Sequence, residues 1–156
     1  MVHELEKILK TYGPTVYRVA LSRTANADTA QDIYQNTFLL LLEKKPRFKD
    51  NAQLKTYLIR SAIKLSASHR KRFDNSKTEP IDENINMSVE NDLTFELVDL
   101  LMSLPESLRE VTLLFYIEDM SIKDIAHALS LTPAAVKMRL SRARAELSRI
   151  YKEEIL

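Results

Sequence analysis

The sequence predicts an all-α chain: two small helical bundles joined by a linker, the C-terminal one containing a helix-turn-helix. Three observations lead there. Gly occurs once and Pro five times in 156 residues, while Leu, Ala, Lys and Glu abound, a composition that suits helices better than strands and turns. Apolar residues recur every three or four positions through most of the chain, the period of one helix face. Between residues 74 and 91 that period lapses into a polar, acidic stretch containing Pro80. The chain therefore divides into a domain at 1–73, an acidic linker at 74–91 and a domain at 92–156.

The first helix is expected over residues 2 to about 23, with Leu5, Ile8, Leu9, Tyr12, Val16, Val19 and Ala20 on one side. Gly13-Pro14 should kink or split it. Asn26 or Asp28 caps the second helix, and Gln31 is placed to complete a box with Asp28. This helix runs to about Lys45 with Ala30, Ile33, Phe38, Leu41 and Leu42 inward, and Pro46 marks its end. The third helix spans Ala52 to Arg72, with Leu54, Tyr57, Leu58, Ser61, Ala62 and Leu65 at helical spacing. Three such helices can enclose one small core. After the linker, Leu93, Leu97, Val98, Leu100 and Leu101 build a helix that stops at Leu104-Pro105. Ser103-Leu-Pro-Glu106 reads as a capping box for the next helix, which buries Leu108, Val111, Leu114 and Phe115.

From Ser121 to Tyr151 the chain reads as two helices parted by Ser130-Leu-Thr132. Ser121 and Asp124 suit a capping box, and Ile122, Ile125, Ala126 and Leu129 share a face. Thr132-Pro133 restarts the helix, Thr as N-cap and Pro in the first helical position. Val136, Leu140, Ala143, Leu147 and Ile150 form the inner side of the second helix, while Lys137, Arg139, Arg142, Arg144 and Arg149 occupy its other faces. Two short helices, a tight turn and a basic second helix make a helix-turn-helix candidate.

Residue usage excludes much else. Hydrophobic residues at 45% and charged residues at 29% describe a soluble globular protein. With no Cys, neither a disulfide framework nor a thiolate metal site can form, and a reducing cytoplasm is the expected setting. No leader peptide or membrane segment is expected, since Leu39 to Leu42 runs at once into Glu43, Lys44 and Lys45. His3, His69 and His127 lack metal-ligand spacing, and Gly13 alone cannot build a phosphate loop. Asp32 with Glu43, or Asp119 with Asp124, read as ordinary surface carboxylates. No catalytic residue, metal, cofactor or small-molecule substrate is expected.

A net charge of +1 conceals strong segregation. Arg60, Lys64, Arg70, Lys71 and Arg72 fall in one acid-free run, whereas Asp74, Glu79, Asp82, Glu83, Glu90 and Asp92 are opposed by Lys77 alone. Local basic patches matter more than net charge for binding nucleic acid. The run to Arg72 fits two readings equally: a helix end whose cations suit the macrodipole, or a single-strand surface where Tyr57, His69 and Phe73 supply stacking. The final helix also has two readings, a charged outer face or a recognition helix whose N-terminal half enters the major groove. In the second, Arg139 and Arg142 read guanine or grip phosphate, and Lys137 grips phosphate.

Three stretches carry a resemblance: Asp28-Thr-Ala-Gln-Asp32-Ile-Tyr-Gln35-Asn-Thr-Phe38, Leu54 to Arg72, and Leu104-Pro-Glu-Ser-Leu-Arg-Glu-Val111 with Ser121 to Leu147. Together they resemble, over nearly the full chain, bacterial RNA polymerase sigma factors of the extracytoplasmic-function group, built from helical regions 2 and 4. The resemblance implies no enzyme activity but a transcription initiation factor with core RNA polymerase, promoter DNA and an anti-sigma factor as partners. It assigns polymerase binding to Gln31, Asp32, Gln35 and Asn36. It assigns the minus-ten element to Tyr57, Arg60, Lys64, Ser68, His69, Arg70, Lys71 and Arg72. The minus-thirty-five element falls to Thr132, Ala134, Ala135, Lys137, Met138, Arg139, Ser141 and Arg142. Tyr57 stands where the family usually has Trp. Lys64 and Ser68 stand where it has Asn and Asp, which shape the pocket for a flipped base. Ser130 replaces the family's common turn Gly, at a cost on the order of 1 kcal/mol or more if left-handed, which leaves that turn's shape open. A stand-alone helix-turn-helix regulator and a sigma-derived interaction protein that no longer reads a minus-ten element are the alternatives.

Overall fold

Helix α1 (Val2–Thr24) passes unbroken through Gly13-Pro14, so the split predicted there does not occur. Proline removes one backbone donor, and burial of Val16, Val19, Ala20 and Leu21 in the following turns offsets that loss. Gly13 supplies space: a Cβ there would lie 3.1 Å from the Tyr34 hydroxyl. Asn26, not Asp28, caps α2 (Ala27–Lys44), its side chain accepting from the Thr29 N–H at 2.9 Å. Lys45 closes α2 in the left-handed region, its N–H donating to the Leu41 carbonyl. Helix α3 (Asn51–Arg72) packs with α1 and α2 around Ile33, Phe38, Leu58, Ile59 and Ala62. The computed structural model describes residues 2–72 and 99–155. Among these the chain forms two units, divided as Met1–Ser88 and Val89–Leu156. The stretch read as a linker, and Leu93, Leu97 and Val98, lie outside the described residues.

In the second unit, residues 99–102 are helical. The capping box read at Ser103-Leu-Pro-Glu106 does not form. The Ser103 hydroxyl donates backwards to the Leu100 carbonyl, and α4 (Glu106–Thr112) starts after Pro105 with no side-chain cap. The Arg109 guanidinium takes over the junction, donating to the carbonyls of Leu101 (3.2 Å), Met102 (3.4 Å) and Leu104 (3.0 Å). Helix α4 widens into a π-helical turn at Leu113–Ile117, where the Glu118 N–H donates to the Leu113 carbonyl at 3.0 Å. Val111 and Leu114 are buried as expected, and within the widened turn Leu113 is buried while Phe115 is only half-buried; Leu108, a turn before it, is half-buried as well.

Helix α5 (Ile122–Leu129) begins at Ser121, whose hydroxyl accepts from the Asp124 N–H at 3.1 Å. It ends in a Schellman turn: Leu131 N–H donates to the Ala126 carbonyl at 2.8 Å and Ser130 N–H to that of His127 at 3.4 Å. Ser130 adopts φ 57° and ψ 45°, so the left-handed turn survives without Gly. Ser130→Gly removes the Cβ penalty but adds chain entropy in the unfolded state. The net expectation is a gain of roughly 0.5–1 kcal/mol by urea unfolding; a lower midpoint would contradict this account of the turn. Thr132 then caps α6 (Pro133–Ile155), accepting from the Ala135 N–H at 3.1 Å.

Candidate functional site

The outer face of α2 combines polar and apolar groups. Its inner stripe is Ala30, Ile33, Thr37, Phe38 and Leu41, and the Thr37 hydroxyl is satisfied by donating to the Ile33 carbonyl at 2.7 Å. Tyr34 meets Phe38 edge-on at 5.1 Å. Gln31, Asp32, Gln35 and Asn36 project from the exposed side, as their spacing predicts. Leu42, expected inward, lies 43% exposed beside Leu39 at 59%. The cause is angular: one residue past Leu41 turns the side chain about 100° out of the buried stripe. Leu39 follows Asp32 and Asn36 at i+7 and i+3, so it shares their face. An open groove of ≈ 550 Å³ runs beside them, lined by Asn36, Leu39, Leu40, Leu42, Glu43 and Leu65. Reading Leu39 and Leu42 against the positions of Asp32 and Gln35, rather than as part of an apolar run, finds both in the sequence.

Helix α3 opens with a cap absent from the sequence reading. The Asp50 carboxylate accepts from the Gln53 N–H, and the Gln53 side-chain oxygen accepts from the Lys49 N–H, both at 2.9 Å. Leu54, Leu58, Ile59 and Ala62 are buried, whereas Ser61 and Leu65 are half-buried. Tyr57 is half-buried with its ring edge-on to Phe48 at 5.3 Å, so only part of it can meet a base. Arg60 and His69 are half-buried; Lys64 and Ser68 are exposed one turn apart. The side chains of Arg70, Lys71 and Arg72, and all of Phe73, lie outside the described residues. No Asp or Glu occurs anywhere in α3, so its exposed cation Lys64 has no acidic neighbour on its own helix.

Helix α6 is held by Val136, Leu140 and Ala143, all at most 1% exposed, against α5, where Ile125, Ala126 and Ala128 are buried. Packing that side turns Thr132, Ala134, Lys137, Met138, Ser141 and Arg142 to the outside, with Ala135 and Arg139 half-buried at the edge. The basic residues sort into two groups. The Arg144 Nε donates to the Tyr116 hydroxyl at 2.7 Å and its guanidinium lies 5.8 Å from that ring's centroid. Both line an apolar groove of ≈ 360 Å³ with Leu100, Leu101, Thr112, Ile117 and Leu147. Arg149 bonds Glu146, which holds that carboxyl below its usual range. Lys137, Arg139 and Arg142 remain on the N-terminal half, where a recognition helix meets base edges.

The family comparisons match both units. The Sigma-70 region 2 model matches residues 8–75 and the Sigma-70, region 4 model matches residues 94–147. The chain belongs to the sigma-70 family. It is 25% identical over 162 residues to the ECF RNA polymerase sigma factor SigM of Bacillus subtilis (strain 168), covering 94% of each chain, and falls in that extracytoplasmic-function group. It is thus a transcription initiation factor that directs RNA polymerase to promoters. The fold of this sigma factor is that of RpoE in its complex with the anti-sigma factor NepR from Bartonella quintana. There the TM-score is 0.76 at 24% identity, over 96% of this chain and 97% of that one. CnrH in complex with the cytosolic domain of CnrY is also similar, with a TM-score of 0.69 at 21% identity over 98% and 90% of the two chains. Among the described residues of the sigma factor, no helix is long and apolar enough to cross a membrane.

Proposed function

We propose that this sigma factor engages the clamp of core RNA polymerase through the outer face of α2, with Gln31, Asp32, Gln35 and Asn36 as polar contacts. The observation that carries the assignment is the exposure of Leu39 and Leu42 on and beside that face. Apolar anchors among oriented polar groups are what a specific interface needs, whereas on a solvated helix they gain nothing. Residues 1–73 then form the polymerase and minus-ten domain, 74–91 the linker and 92–156 the minus-thirty-five domain. Tyr57, Arg60, Lys64, Ser68, His69, Arg70, Lys71 and Arg72 engage the opened strand. Thr132, Ala134, Ala135, Lys137, Met138, Arg139, Ser141 and Arg142 face the upstream duplex. The polymerase performs all the chemistry, in the cytoplasm. The anti-sigma partners in the RpoE and CnrH complexes support a partner of that kind here, covering the same surfaces.

Run-off transcription tests this reading. Core polymerase with the full chain should yield discrete transcripts from a promoter selected out of a random library, and core alone should not. The donor-rich Lys64 and Ser68 positions favour one rival, a sigma-derived protein that binds polymerase without opening promoters; core binding with no transcript from any template would select it. Arg139→Ala and Arg142→Ala should each weaken upstream duplex binding by about 1–3 kcal/mol if they read a base. Each that grips phosphate should instead lower the salt slope by about 0.9. Unchanged affinity and slope in both variants would refute the recognition-face assignment.

A further inference from the structure

The outer face of α6 holds one side chain that electrostatics does not explain. Met138 is 54% exposed, amid exposed Ala134, Lys137, Ser141 and Arg142. Of the large exposed hydrophobics Leu39, Leu42, Tyr116, Met138 and Tyr151, it is the one in the first two turns of α6, the part that reaches base edges. Its thioether is a weak acceptor and offers no donor, so it cannot read the polar pattern of a base. Ala134 precedes it by one turn, about 6 Å along the same face. These two make an apolar step, with Lys137 and Arg142 beside it to hold the helix on the phosphates.

In the major groove one base edge matches such a step. Thymine presents a 5-methyl group, whereas the edges of adenine, guanine and cytosine present donors and acceptors. Resting on the assignment of α6 to the upstream duplex, we propose that Met138, with Ala134 beside it, packs on a thymine methyl and specifies thymine at that position. Adenine or guanine there would leave a polar edge against the thioether, and cytosine would lose the methyl contact and set its amino group against the side chain. The contact is worth about the burial of one methyl, roughly a fourfold change in affinity. Flexibility suits Met to the task, since an unbranched side chain adapts to an uneven surface.

The test removes the methyl from the DNA rather than from the protein alone. Duplexes randomised over the upstream element are selected with holoenzyme formed from the full chain and core polymerase. Each thymidine of the selected element is then replaced singly by deoxyuridine, which keeps every hydrogen bond. The expected result is one or two positions at which uridine weakens wild-type binding about fourfold. Met138→Ala should erase that difference and Met138→Leu should keep it. Indifference of the wild type to uridine at every position, or equal sensitivity in Met138→Ala, would overturn the proposal. Failure to enrich any upstream sequence would overturn the α6 assignment itself and the proposal with it.

Discussion

Replacing Leu140 by Ala is expected to unfold the helix-turn-helix and abolish upstream duplex binding while leaving polymerase binding intact. Leu140 is 1% exposed, between Val136 at 0% and Ala143 at 1% on the inner side of α6. Truncating a buried Leu costs about 2–5 kcal/mol through lost burial and the cavity left behind. A helical unit this small has a correspondingly small reserve, since total stabilities run only about 5–15 kcal/mol and small domains sit low in that range. The loss also falls where it matters, because the same packing turns Lys137, Met138 and Arg142 outward. Urea unfolding should show the midpoint of the second unit falling sharply, with polymerase affinity, proposed to reside in α2, within about twofold of wild type. Ser148→Ala, an exposed site on the same helix, should stay within about 0.5 kcal/mol. Retained duplex binding in Leu140→Ala would show that this packing does not orient the face.

Helical periodicity made the elements legible because most of them bury one continuous stripe, and the turn at Ser130-Leu-Thr132 was legible because Ser121 and Thr132 both act as the caps their residue types favour. The failures share one cause: local rules gave way to packing. Pro14 does not split α1, since buried turns lie beyond it. Ser103 serves the helix before it, because Arg109 already draws the carbonyls of that junction together. The π-helical turn at Leu113–Ile117 adds a residue to the period, which no count of i+3 and i+4 spacings anticipates. Ser130 shows the reverse: a residue with a penalty in the left-handed region stays there, held by two backbone bonds.

Of the proposed interfaces, the polar groups are visible in the sequence and the apolar ones are not. Asp32 and Gln35 are visible as a spaced pair, and the cations of α6 as a cluster. Leu42 looks like core in a run of four leucines, and only its angular position sets it apart from Leu41. Arg144 fails the other way: it reads as a free surface cation, but Tyr116, 28 residues earlier, takes its Nε. No local window contains that pairing.

The second large effect is expected at α2. Asp32→Ala with Gln35→Ala removes two exposed polar groups one turn apart, and Leu39→Ala removes the apolar anchor, 59% exposed beside them. None of the three supports the core of the unit, so the helical signal and unfolding midpoint should hold. Interface anchors of this kind cost about 2 kcal/mol or more on truncation, about thirtyfold in affinity. Leu39→Ala and the double variant are also adjacent, so their effects should not simply add. The decisive measurement is the equilibrium affinity of purified core RNA polymerase for the full chain and for the Asp32→Ala, Gln35→Ala double variant. The account predicts tight binding by the wild type and a loss of at least about thirtyfold in the folded variant. Equal affinities for the two proteins would contradict it.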